Sequence, residues 1–421
     1  NDTFDFSRIS DKLRVAIASS KVTATIGDLD VSLGTANSLT HDGNTIEYLI
    51  GGQNSDSFNF ADNAGLATGD SLSTVADIDG QGGTADLLNY VAYSKDHAVN
   101  VQLYLNIGTG LTHFSNIENV TGGDGADTLF GDANTNVLNG SNGNDTLAGR
   151  GGDDYYMFTG VWGVDVIGEN QAEGDDTLNF YAYTGDTISY TLAPITVDLD
   201  FIMNNAGTES GLFYDTVKQP ADDAANCVAG GGTVQVNCVL YRSRNVEHIF
   251  GGLCIDSLYT LNQDSTFAID GVTVDTDPLF TPNTAPTMVA ATDRNSYTAL
   301  GTPSGEGDRL EFANIENMYA GNQADIFNIL EHDQRYNLYG GAGDDQFVFT
   351  DGTGLTDLSG SPHPGFQSLI DGQGGSDTID YHDFTTSVTV NLATGQSSNI
   401  SAAALGRVVN LENIVGGSKN D

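Results

Sequence analysis

The side chains in this chain best placed to do chemistry are aspartates, and they come in the company of glycine. From Gly122 the sequence divides into nines: "GGDGADTLF", "GDANTNVLN", "GSNGNDTLA" and "GRGGDDYYM". Each nine opens on glycine, carries an acid or amide at its sixth position and places an apolar residue two positions later. Glycine permits positive φ and lets backbone carbonyls crowd around one point. The aspartate adds a carboxylate, and calcium takes six to eight oxygens at about 2.3–2.6 Å. The apolar residue points inward from a short strand and stacks on the next turn. The chemistry implied is cation binding by turns.

Asp127, Asp145 and Asp154 hold the sixth position. In the second nine Asn136 stands there, Asn134 replaces a glycine and Asp132 sits early, so its site is expected to be weaker or shared. Further copies are "GGAGDDQFV", with Asp345, and "GQGGSDTID", with Asp377. "GQGGTADLL" carries Asp86 one place late, which counts against a site there. The candidate ligand set is Gly123, Asp124, Gly125, Asp127, Asp132, Gly143, Asp145, Asp153, Asp154, Gly341, Gly343, Asp345, Gly375 and Asp377. Asp56 and Asp325, each four residues after a Gly-Gly or Ala-Gly pair, complete it. An isolated copy reads equally well as an ordinary Asp-Gly turn that binds nothing.

The four consecutive nines resemble the RTX (haemolysin-type) calcium-binding nonapeptide, Gly-Gly-x-Gly-x-Asp-x-apolar-x. That resemblance implies a six-residue turn and a three-residue strand, repeated into a parallel β-roll with Ca2+ held between turns. It is closest to the large extracellular adhesin, surface-layer and filament kind. RTX repeats also occur in proteases, lipases and epimerases, so the resemblance does not set an activity.

The elements that must position these turns are themselves repeated. A signature recurs as "TIEYLIGG", "NIENVTGG", "NVEHIFGG", "NIENMYAG" and "NLENIVGG", with Glu47, Glu118, Glu247, Glu316 and Glu412. Each glutamate reads either as a calcium ligand or as an acceptor for the N–H groups of the adjacent Gly-Gly turn. "IDGQGG" occurs twice, at Ile78–Gly83 and Ile370–Gly375, each time leading through tyrosine to an alternating segment, "VNVQLYL" or "VTVNLATG". Short alternating runs bounded by Gly, Asn and Asp are strand signals. The expected fold is all-β: elongated parallel β-roll or β-helix-like modules with loop insertions. Five modules are expected, at 1–77, 78–160, 161–262, 263–339 and 340–421. "SAAALGRVV" from Ser401 comes nearest to a helical period.

Composition narrows the function classes. Of 57 acids, 46 are Asp and 11 are Glu, against 14 Lys and Arg, for a net charge of −43. Such a surface cannot neutralise phosphate, so nucleic acid and anionic membranes are not expected partners. No apolar run is long enough to span a membrane. Cys227 and Cys238 flank a glycine turn and a strand, which suits either a local disulfide or two free thiols; Cys254 replaces a turn residue. The histidines, His248, His332 and His382 among them, are scattered. Neither His-Glu-x-x-His nor Gly-x-Ser-x-Gly occurs. Asp198 and Asp200 could share a strand face as a glycosidase pair, but the sister segment "VTVNLA" makes the position structural.

The expectation is therefore a non-enzymatic, extracellular or cell-surface structural or adhesive protein. The segment Gly416–Asp421 and the segment Asn1–Phe6 join into one copy of the motif "GGQNSDSFNF". That predicts one period of a tandem or head-to-tail array, with self as partner and a polysaccharide or cell surface as a further one. The alternative is the calcium-binding portion of a secreted polysaccharide-active enzyme (lyase, epimerase or hydrolase).

Overall fold

The computed structural model describes residues 2–26, 37–42, 46–66, 77–158, 162–168, 174, 176–179, 196–198, 215–218, 238–241, 248–250, 257–259, 265–269, 295–299, 309–313, 317–330, 336–356, 367–401 and 404–421. Strands joined by turns and loops make up this backbone, with 3-10 conformation at Leu103–Leu105 and at Ser401. No described helix is long and apolar enough to cross a membrane. The chain divides into two compact units. One is Asn1–Leu178 with Asn226–Leu240 and Pro278–Pro286; the other is Asn179–Ala225, Tyr241–Asp277 and Thr287–Asp421.

The first unit opens with β1 (Asp2–Asp5), β2 (Leu13–Ala18), β3 (Lys21–Ile26), β4 (Asn37–Asp42), β5 (Ile46–Ile50) and β6 (Ser57–Phe60). Next come β7 (Ile78–Asp79), β8 (Leu87–Asn89), β9 (Asn100–Gln102), β10 (Ile107–Gly108), β11 (Phe114–Ser115) and β12 (Asn119–Thr121). The nonapeptides supply β13 (Thr128–Phe130), β14 (Val137–Asn139), β15 (Thr146–Ala148) and β16 (Tyr155–Met157), followed by β17 (Val164–Ile167). Successive nonapeptide strands alternate between two parallel ladders, β6–β8–β12–β14–β16 and β9–β13–β15–β17. Two nonapeptides thus make one coil, which is the parallel β-roll. A third parallel ladder is β1–β5–β7–β11.

Alternation explains why these short segments are strands. In β13, β14 and β15 the flanking residues are half-buried or exposed and the middle leucine is buried. Leu129 aligns with Val101 and Leu147, and Val120 with Leu88 and Leu138. The inward residues therefore stack coil on coil in a dry core, each worth about 1.5–3 kcal/mol of burial.

β18 (Thr177–Asn179), β19 (Thr196–Asp198), β20 (Asp215–Lys218), β21 (Cys238–Tyr241), β22 (His248–Phe250) and β23 (Ser257–Tyr259) follow. The second unit continues with β24 (Ser265–Ile269), β25 (Asn295–Ala299), β26 (Arg309–Ala313), β27 (Asn317–Tyr319), β28 (Ile326–Ile329) and β29 (Asn337–Tyr339). It closes with β30 (Gln346–Phe349), β31 (Leu369–Asp371), β32 (Thr378–Asp380), β33 (Val390–Asn391), β34 (Gln396–Ser397), β35 (Val408–Val409) and β36 (Asn413–Val415). Its parallel ladders are β24–β28–β30–β32–β36 and β23–β27–β29–β31–β35. Aromatic rings replace leucine in this core: Phe327 stacks on Phe267 at 4.3 Å and on Phe347 at 5.0 Å. Antiparallel hairpins are inserted at β2–β3–β4 and β24–β25–β26.

Of the segment from Ser401, residues 402–403 lie outside the described residues; Leu405–Gly406 form a turn that leads to β35, where Val408 pairs with Ile370. Cys227, Cys254, Asp200, Glu247, Glu316 and His332, and most of the two insertions, lie outside the described residues. So does the question of a Cys227–Cys238 bridge.

Candidate metal centre

The aspartates that precede the inward-pointing residues are buried in columns. In one column the Asp127 N–H donates to Asp145 Oδ1 at 2.8 Å, and the Asp145 N–H donates to Asp165 Oδ1 at 2.8 Å. A second column runs from the Asn136 N–H to Asp154 Oδ1 (2.7 Å) and from the Asp154 N–H to Asp176 Oδ1 (3.0 Å). In the second unit, Asp325 donates to Asp345 (2.9 Å) and Asp345 to Asp377 (2.8 Å). Each carboxylate thereby satisfies the backbone of the coil before it. Lateral stacking is built from charge-assisted hydrogen bonds as well as apolar contact.

Glutamate finishes two of these columns. Glu118 Oε2 accepts the Asp86 N–H and Glu412 Oε2 accepts the Asp377 N–H, both at 2.8 Å. Asp86 in turn accepts the Asp56 N–H at 2.6 Å. Glu118 and Glu412 thus bind the backbone N–H of an aspartate on the preceding coil, not that of the adjacent Gly-Gly turn. Their longer side chain spans the step where a looped-out hairpin separates one coil from the next.

Burial makes the columns electrostatically costly without a cation. Desolvation pushes the Asp145 carboxyl up to about 9, Asp86 to about 8, Asp345 to about 7 and Asp127 to about 6. Asp165 is raised well above the ordinary carboxylate range, again by burial first and then by the charge of Asp145. The Oδ2 atoms of Asp86, Asp145, Asp165, Asp345 and Asp377 are buried with no hydrogen-bond partner. A buried acceptor left without a donor costs about 1–3 kcal/mol, more if charged. These orphaned oxygens fit a hard divalent cation.

The opening glycine of each turn is required by this arrangement. A Cβ on Gly140 would overlap the Asp145 carboxylate; on Gly340, that of Asp345; on Gly372, that of Asp377. The carbonyl oxygens of Gly372 and Asn410 lie over Gly340 and Gly372 respectively, so carboxylate and carbonyl oxygens gather on the same side of the turn. Among the described residues no three His, Cys, Asp or Glu side chains converge on one point. A cation here would draw one carboxylate oxygen from a turn and the rest of its shell from backbone carbonyls.

The candidate residues fall into two groups. Asp56, Asp127, Asp145, Asp154, Asp325, Asp345 and Asp377 are all buried and in columns. Asp124 and Asp153 are exposed, and Asp132 is half-buried. Asp124 accepts from Asn142 Nδ2 at 2.7 Å, and Asp132 accepts the Asn134 N–H at 2.8 Å. Gly143, Gly341, Gly343 and Gly375 adopt positive φ, whereas Gly123 and Gly125 do not.

Sequence reasoning missed several column members. Asp86 reaches the column although its motif has one residue too many: Ala85 tucks inward and absorbs it. Asp165 and Asp176 were not singled out because no Gly-Gly precedes them. The signal that finds them is the shorter pattern Asp-x-apolar, as in "DVI" and "DTL".

Residues 120–156 match the model of the RTX calcium-binding nonapeptide repeat, in four copies. No curated protein matches the chain. The matched segment holds the columns of Asp127 and Asp145 and of Asn136 and Asp154, and RTX nonapeptides bind calcium. Residues 120–156 thus carry RTX repeats, and calcium is the metal that RTX nonapeptides bind.

Proposed function

We propose that this chain is a calcium-ordered structural or adhesive element of an extracellular array. The observation that carries the reading is the set of stacked, buried carboxylates with orphaned oxygens, which a cation would complete and whose absence would loosen each coil. Extracellular calcium modules bind at about 10⁻⁴–10⁻³ M, so such a protein is loose where calcium is scarce and folds where it is plentiful. RTX repeat proteins are typically secreted, which suits that switch.

The array requires each unit to bind a like unit only while its coils are calcium-ordered. Electron microscopy in millimolar calcium and in excess chelator tests it. Ordered fibres or sheets that dissolve on chelation are expected. Discrete particles under both conditions would overturn the array and point to polysaccharide binding or cleavage as the activity to assay.

A further inference from the structure

The aspartate turns are of two kinds, and the difference lies in the backbone. In the first kind the residue four before the column residue turns its N–H onto that side chain. Gly52 donates to Asp56 Oδ2, Gly123 to Asp127 Oδ2 at 2.6 Å, and Asp132 to Asn136 Oδ1 at 2.8 Å. None of these donors has positive φ, nor do Asn54, Gly125 or Asn134 two residues later. The carboxylate oxygen in such a turn already has a donor.

In the second kind two left-handed residues flank the turn. Ser141 (φ 73°) and Gly143 (φ 144°) precede Asp145; Gly341 (φ 94°) and Gly343 (φ 137°) precede Asp345; Gln373 (φ 65°) and Gly375 (φ 146°) precede Asp377. Gln81 (φ 70°) and Gly83 (φ 142°) precede Asp86 in the same way, with the extra residue between. The N–H groups of Ser141, Gln81 and Gln373 donate backwards, to Asn139 at 2.8 Å and to Asp79 and Asp371 at 3.0 Å. Oδ2 of Asp86, Asp145, Asp345 and Asp377 is then buried with no donor, although each residue is at most 1% exposed. Holding Gln81, Ser141 and Gln373 in a left-handed conformation is strained for residues with a Cβ. That strain is spent in removing the one donor that would compete with a cation.

We propose that calcium is held at the turns of Asp86, Asp145, Asp345 and Asp377, and not at those of Asp56 and Asp127. Three of the four sites lie outside the segment matched to the nonapeptide family, and one of the two excluded turns lies inside it. Motif quality and metal occupancy therefore separate: "GGDGADTLF" satisfies its own carboxylate, and the irregular "GQGGTADLL" does not. The inference rests on the calcium reading above and assigns it to particular turns.

The test is calcium stoichiometry of the full chain by native mass spectrometry, for single variants Asp86→Asn, Asp345→Asn, Asp377→Asn, Asp56→Asn and Asp127→Asn. Asn136 already occupies a column position, its Oδ1 accepting the Asp132 N–H and its own N–H donating to Asp154, so a carboxamide is expected to be tolerated, with circular dichroism in calcium as the check. The first three should each lose an ion and the last two none. Loss of an ion from Asp127→Asn or Asp56→Asn, or a full complement in Asp86→Asn and Asp377→Asn, overturns the assignment. Should a variant fail to fold, anomalous scattering from Tb3+ in crystals of the unmodified chain decides instead: terbium against Asp86 and Asp377 supports the proposal, and terbium against Asp56 and Asp127 refutes it. No bound ion at all would defeat the calcium reading itself, a distinct result.

Discussion

Raising calcium should stabilise the two units by similar, calculable amounts. The proposal places at least two calcium turns in each unit: Asp86 and Asp145 in the first, Asp345 and Asp377 in the second. A site that exists only in the folded state adds about 1.4 kcal/mol for each tenfold rise in calcium above its dissociation constant. Two sites give about 2.7 kcal/mol per unit per decade. For domains of about 150–250 residues, 1 kcal/mol shifts Tm by about 2–4 °C, so each transition should move by roughly 5–11 °C per decade of calcium. Over two decades the gain approaches the whole stability of an ordinary domain, about 5–15 kcal/mol. Scanning calorimetry at 0.1, 1 and 10 mM calcium, with ionic strength held constant, measures it (concentrations of the order at which such modules bind). A slope below about 3 °C per decade, the least that one site would give, refutes the count. An equal shift with magnesium would refute the cation itself.

Further expectations follow from the same geometry. Without calcium, the chain should be more stable at pH 5 than at pH 9. Asp127, Asp345, Asp86 and Asp145 have folded-state values pushed up from 3.8 to about 6, 7, 8 and 9, so the folded form binds protons that the unfolded form releases. Their contribution is full below about 4 and is lost as pH rises through 6–9; circular dichroism melts of calcium-stripped protein showing the reverse order would exclude it. Gly372→Ala should destabilise by about 1–3 kcal/mol, because its Cβ meets the Asp377 carboxylate, whereas Gly374→Ala in the same turn meets only Gly341 O at 3.8 Å. Equal denaturation midpoints for the two variants would contradict this. Phe327→Ala removes the middle ring of a buried stack and should cost about 3–5 kcal/mol in urea unfolding. Glu412→Ala leaves the Asp377 N–H without its acceptor and should cost about 1–3 kcal/mol, most visibly as faster amide exchange at Asp377.

Much of the candidate site is legible in the residues themselves. The nine-residue period places a strand after every turn, and the Asp-x-apolar step puts carboxylate and core residue two positions apart on the inward face, with the residue between them on the other face. Since those faces alternate with a period of two, burial of Leu129, Leu138 and Leu147 follows from local pattern alone. The same periodicity implies parallel stacking, because identical turns bury their apolar residues only against copies of themselves.

What could not be read locally depends on a neighbour brought in by the coil. Whether a peptide N–H faces its own carboxylate is decided by φ at residues such as Gln81, Ser141 and Gln373, which bear no mark in the sequence of favouring the left-handed region. The glycines two residues on lie hard against the adjacent coil: a Cβ on Gly375 would meet the Gly343 carbonyl, and one on Gly143 the Gly125 carbonyl. The glutamates show the same limit. Glu118 looks like a partner of the glycines that follow it, yet it serves Asp86, 32 residues earlier, because the looped-out hairpin returns the chain exactly one coil on. The amino-acid sequence thus determined the repeat, the strands, the buried residues and the kind of metal. Only the stacked structure decided which carboxylates keep an oxygen free for it, since that depends on hydrogen bonds between coils that no local spacing encodes.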